Sequence, residues 1–76
     1  MEALIRHIAE ALVYHPENVE VKCIEGENSI IIELKVAADD VGKVIGKGGQ
    51  TAKAMRKILS AAATKLKKKS LLQIVE

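Results

Sequence analysis

Four of the five glycines, Gly42, Gly46, Gly48 and Gly49, fall within one short stretch, with Lys43 and Lys47 among them and Lys53 just beyond. Glycine permits positive φ and removes the side chain that would hold a ligand away from the backbone. In Gly46, Lys47, Gly48 and Gly49 this freedom sits immediately before a helical pattern. The loop therefore offers free amides at a helix start, where the dipole favours an anion, with Lys47 at its tip. The predicted chemistry is phosphate binding. Nucleotide loops fail on spacing: a P-loop needs Gly-Lys-Ser or Gly-Lys-Thr after a strand, whereas Lys47 precedes Gly48 and a helix precedes the loop. The dinucleotide fingerprint Gly-x-Gly-x-x-Gly lacks its third spaced glycine.

The rest of the chain supplies little other chemistry. Residues 1–40 hold nine acids against Arg6, Lys22 and Lys35, a balance of −6, whereas residues 41–76 hold nine bases against Glu76, a balance of +8. The net charge of +2 thus hides two opposed halves, and the glycine cluster opens the basic one. Asp39 and Asp40 suit a helix N-terminus, as caps and dipole partners, better than a metal site, because no histidine or third acid is near them in sequence. His7 and His15 have no second ligand at metal spacing and no nucleophile to serve, so both are read as surface residues. Lys65, Lys67, Lys68 and Lys69 are read as a solvated helix end. Cys23, the only cysteine, lies in an alternating run and reads as a small buried hydrophobe. With no Trp or Phe, and Tyr14 as the only aromatic, a module that stacks bases on an aromatic sheet face is excluded. No catalytic or metal constellation is present and no cofactor is implied, so an enzyme is the least expected class.

Seventy-six residues, 49% of them hydrophobic and 29% charged, predict one domain over 1–76. No apolar run approaches the ~18 residues of a membrane span, so no membrane insertion is expected. The N-terminus lacks a basic-then-apolar signal pattern, and a cytoplasmic protein is the expectation.

The elements that must position the loop follow from periodicity. Leu4, Ile5, Ile8, Ala11 and Leu12 predict a helix over Glu2–Tyr14, ended by the residues around Pro16. Val19–Ile24 and Ile30–Val36 alternate and predict a hairpin about a turn at Glu25–Asn28. Val41, Val44 and Ile45 give a short helix stopped by Gly46. Ala52, Met55, Ile58, Leu59, Ala62 and Leu66 give the inner face of a helix over Gln50–Leu66, and Leu71–Val75 returns as a strand. The order α-β-β-α-α-β predicts a two-layer α+β fold with a mixed three-stranded sheet under three helices.

Val44, Ile45, Gly46, Lys47, Gly48 and Gly49 resemble the V-I-G-x-x-G core of the KH domain, an RNA-binding module. The wider stretch VGKVIGKGGQTAKAMRKIL, in a chain of this size, is similar to the small bacterial KhpA family of single KH-domain proteins, whose element order is the type II KH arrangement. The resemblance implies that the Gly46–Gly49 loop clamps the backbone of about four single-stranded nucleotides. Lys47, with Lys43 and Lys53 at the loop ends, would meet the phosphates. Val44, Ile45 and the strand around Ile32 and Leu34 would line an apolar base groove. It further implies a homodimer, a heterodimer with a larger KH-domain protein, or both; no pattern in the sequence fixes the interface, for which the acidic first helix and the short second helix are the candidates. The expected role is an RNA chaperone or post-transcriptional regulator. The alternative is a protein-protein scaffold or dimerisation domain in a complex controlling cell envelope or division.

Overall fold

The computed structural model describes residues 2–76. The elements are α1 (Glu2–Leu12), β1 (Glu20–Glu25), β2 (Ser29–Lys35), α2 (Val41–Ile45), α3 (Gln50–Lys65) and β3 (Lys69–Val75), with short 3-10 turns at Pro16–Asn18, Ala38–Asp40 and Lys47–Gly49. The sheet order is β1-β2-β3, antiparallel between β1 and β2 and parallel between β2 and β3. This is the expected mixed sheet in the expected α-β-β-α-α-β order.

Alternation decides which side of the sheet is covered. Ile30, Ile32 and Leu34 on the central strand β2 are fully buried, and Val21, Leu72, Ile5, Ala9, Met55, Leu59 and Ala63 close around them. Full burial of each large aliphatic side chain contributes about 1.5–3 kcal/mol, so β2 anchors the core. Cys23 lies on this inner face, half-buried against the core. The other face of the sheet is open to solvent and carries one apolar row, Ile24, Ile31 and Leu71, aligned across all three strands.

The helices bury narrower strips than periodicity predicted. In α1 the strip centres on Ile5 and Ala9, with Ile8 half-buried, while Leu4, Ala11 and Leu12 are exposed. In α3 it runs through Ala52, Met55, Leu59 and Ala63, leaving Ile58 and Leu66 outside. Two helices share one three-stranded sheet, and each meets it along a single line. α1 also ends at Leu12, two residues early, and β3 begins at Lys69, two residues early.

The end of α3 explains that early start. After Leu66 the amide of Lys67 donates to the Thr64 carbonyl and that of Lys68 to the Ala63 carbonyl, the paired bonds of a Schellman turn. Lys67 takes φ 59°, the left-handed position usually given to glycine. The chain reverses at once, and the Lys68 ammonium reaches the Glu25 carboxylate at 2.6 Å, holding that carboxyl below its ordinary range. The basic end of α3 is thereby tied to the acidic hairpin turn.

Asp39 and Asp40 do not cap α2, since no side-chain cap bond forms there. Asp40 is instead fully buried and reaches across to the end of α1: Oδ1 accepts the Tyr14 amide at 3.1 Å and Oδ2 the His15 amide at 2.9 Å. Asp39 stays exposed and meets His15 Nε2 at 3.2 Å. That hydrogen bond, then the Asp39 charge, raises the His15 pKa above 6.5. The histidine missing near the acid pair in sequence is thus supplied by the fold, and the ligand atoms of His15, Asp39 and Asp40 lie within 4.8 Å of one another. With both Asp40 oxygens accepting amides, the cluster reads as a junction between α1 and α2.

Candidate nucleic-acid interface

The loop that joins α2 to α3 holds positive φ at three glycines, Gly46, Gly48 and Gly49. Gly46 has φ 78° and ψ 171°, a region closed to residues with a Cβ, and a Cβ there would overlap Thr51 Oγ1 and lie 2.9 Å from the Thr51 amide nitrogen. Gly48 has φ 64° in the left-handed region, but its Cβ direction opens onto free space. The Gly46 amide bonds back to the Gly42 carbonyl at 2.9 Å, and the Gly49 amide to the Gly46 carbonyl at 3.1 Å. Among the loop and cap bonds of the described residues, none comes from the Lys47 or Gly48 amide. Both residues are exposed, so the tip presents its backbone and the Lys47 side chain to solvent.

Next to this tip lies an open groove of about 560 Å³. One wall is Ile45 from α2, Gly49 from the turn before α3, and Ala52, Lys53 and Arg56 from α3, residues 49 to 56 recurring at spacings of three and four. The other wall is β3 from Leu72 to Val75. β3 is an edge strand, paired only with β2. The Lys69 amide bonds the Asn28 carbonyl and the Val75 carbonyl accepts from Val36, so odd-numbered residues of β3 turn their polar groups toward β2. By the alternation of a strand, Leu72 and Ile74 turn theirs to the open edge. The groove thus combines outward backbone donors and acceptors on one side with a cationic helix face on the other.

Electrostatics reinforce this. Among the described residues, ion pairs join His15 to Glu17 and Asp39, Lys35 to Glu20, and Lys68 to Glu25. None involves Lys47, Lys53 or Arg56, so three cations around the groove and tip lack an acidic partner among those residues.

The predicted residues sort into three groups. Gly46, Lys47, Gly48, Gly49, Lys53 and Ile45 come together at the tip and groove, Ile45 with 37% of its surface exposed. Val44 does not: it is 0% exposed, as are Ile32 and Leu34, and all three belong to the core. Lys43 projects elsewhere, its ammonium 4.6 Å from the centroid of the Tyr14 ring. Sequence reasoning missed Arg56 and the β3 wall. Arg56 was findable, since Gly49, Ala52, Lys53 and Arg56 share one face by spacing alone. The β3 wall depends on which strand ends at an edge, which no local pattern states.

A family model described as KhpA/KhpB, KH domain matches residues 2–74. The chain belongs to the KhpA/KhpB KH-domain family. It is 53% identical to the RNA-binding protein KhpA of Caldanaerobacter subterraneus subsp. tengcongensis over 75 residues, covering 99% of this chain and all of the relative. Identity to the RNA-binding protein KhpA of Halalkalibacterium halodurans is 51% over the whole of both chains. With that of Clostridium perfringens it is 51%, again over 99% of this chain and all of the relative. No solved structure matches the chain. The KhpA/KhpB match spans the glycine loop and every element that positions it, and no helix among the described residues is long and apolar enough to cross a membrane.

Proposed function

We propose that this chain is a non-catalytic, cytoplasmic, single-stranded RNA-binding protein that clamps the RNA backbone with the Gly46–Gly49 loop and acts as an RNA chaperone or post-transcriptional regulator. Its relatives are named RNA-binding proteins, and the physical support is the junction of the exposed Lys47–Gly48 tip with a groove whose cations have no acidic partner among the described residues. Phosphates sit against the Lys47 and Gly48 amides and the Lys47, Lys53 and Arg56 charges. Bases lie in the groove, against Ile45, and hydrogen-bond to the open-edge backbone of Leu72 and Ile74. Backbone contacts of this kind carry affinity more than sequence, so binding by one domain is weak and tolerant. A second domain, in a homodimer or on a larger KH-domain protein, raises affinity through effective concentration.

The decisive experiment reverses charge at the tip. The double variant Lys47→Asp, Gly48→Asp is expected to retain the wild-type circular dichroism spectrum, because neither side chain enters the core, and to lose ultraviolet crosslinking to RNA. Retained crosslinking sinks the loop assignment.

A protein scaffold or dimerisation role is the second reading, favoured by the apolar surface left outside the core: Leu4 and Leu12 on α1 and the row Ile24, Ile31 and Leu71 on the sheet. On this reading capture of a protein partner survives both the tip variant and RNase, whereas loss under RNase reveals RNA bridging.

A further inference from the structure

Tyr14 is the only aromatic residue of the chain, and 74% of its surface is exposed. It contributes almost nothing to the core, yet its backbone is held firmly, its amide donating to the buried Asp40 carboxylate. The Lys43 ammonium occupies one face of the ring, 4.6 Å from the centroid, a cation-π distance. Lys43 stands three residues before Gly46, about 4.5 Å along α2, so the pair lies close to the loop, and neither residue lines the groove. Of the acids nearby, Asp40 is hydrogen-bonded to two amides, and Asp39 is paired with His15, which Glu17 also approaches at 3.7 Å. Lys43 has no acidic partner among the described residues.

We propose that Tyr14 and Lys43 form a second nucleotide-contact point, where a base of RNA leaving the loop stacks on the free face of the Tyr14 ring and Lys43 meets its phosphate. A flat ring already fixed at its backbone loses little freedom on binding, and every base presents a π face to it. The Lys43 charge, which lies over Tyr14 and does not line the groove, acquires its phosphate here. This rests on the reading that the Gly46–Gly49 loop holds the RNA backbone, and it extends the contact beyond the nucleotides the groove accommodates.

The test compares fluorescein-labelled tetrauridylate, short enough for the groove, with dodecauridylate, long enough to pass Tyr14, by fluorescence anisotropy. Tyr14→Ala is expected to weaken dodecauridylate binding about fivefold or more, the low end of what one base-aromatic stack supplies, and to leave tetrauridylate unchanged. Tyr14→Phe keeps wild-type affinity for both. The Tyr14 ring proton resonances, unambiguous in a chain with one aromatic, shift on adding the long oligomer. Wild-type affinity of Tyr14→Ala for dodecauridylate overturns the proposal, as does a Phe variant as weak as Ala. In either case loss of both oligomers by the Lys47→Asp, Gly48→Asp variant leaves the loop reading standing. A wild-type protein that binds neither oligomer overturns both.

Discussion

Gly46, just past the end of α2, and Lys67, just past the end of α3, both hold positive φ, and they respond to substitution in opposite directions. At Gly46 the backbone lies where only glycine is at ease, and an added Cβ meets the Thr51 backbone. Gly46→Ala is therefore expected to destabilise the fold by about 2–4 kcal/mol, from strain plus steric overlap. At Lys67 a lysine already bears the left-handed strain of the Schellman turn, about 1–2 kcal/mol, part of which glycine gives back in chain entropy. Lys67→Gly is expected to stabilise by about 0.5–1 kcal/mol, a rise of a few degrees in melting temperature. Urea unfolding followed by circular dichroism checks both signs. The same contrast separates the glycines that the sequence presented as one cluster. Gly46, Gly48 and Gly49 take backbone angles that a side chain resists, whereas Gly42 sits in α2 without positive φ and with nothing within 4 Å of its Cβ direction. Clustering pointed to the loop as a whole, but it could not say which glycines the backbone requires.

At the scale of elements, the joint between α1 and α2 rests on Asp40. Its carboxylate satisfies two amides that the end of α1 leaves without helical partners, and it does so from the turn that opens α2. Asp40→Ala leaves both donors unpaired and opens a cavity, so a loss of about 2–4 kcal/mol is expected on denaturant unfolding. Asp40→Asn, which keeps one acceptor oxygen, should lose less. The adjacent His15-Asp39 bond adds a pH dependence of known sign. The His15 pKa is raised in the folded chain, so its contribution is complete below pH 6.5 and disappears as pH rises through the folded value. Sequence order made this joint hard to read. Periodicity located every helix and strand, because each buries a stripe or an alternating face, but His15 and Asp40 stand 25 positions apart with no local sign of their contact. Two acids before a helix look like caps, and only the tertiary fold redirects one of them inward. The narrow strips of α1 and α3 have the same origin, since periodicity marks which residues are apolar and not how wide a sheet waits beneath them.

Across the whole molecule, the opposed charges of the two halves of the chain are partly interleaved by folding. The hairpin turn and the end of α3 neutralise each other through Glu25 and Lys68, whereas the Glu20–Lys35 pair stays within the acidic half. The cations that keep no acidic partner among the described residues include a group where α3 begins: Lys47 at the loop tip, Lys53 and Arg56 along an open groove, and Lys43 beside Tyr14. Net charge therefore understates the attraction to a polyanion, because the attraction depends on the unpaired cations within a Debye length of the bound strand and not on the balance over the chain. If the groove and loop neutralise three phosphates, the logarithm of the affinity for a short single strand falls with the logarithm of salt concentration at a slope of about −2. That amounts to a loss on the order of tenfold or more between 50 and 200 mM salt. Single substitutions of Lys47, Lys53 or Arg56 by glutamine should each flatten the slope by about 0.7, the share of one neutralised phosphate on a single strand. Lys68→Gln, which removes a cation already committed to Glu25, should leave it unchanged. A slope equally sensitive to Lys68 would mean that the strand runs over the hairpin end of the molecule and not through the groove.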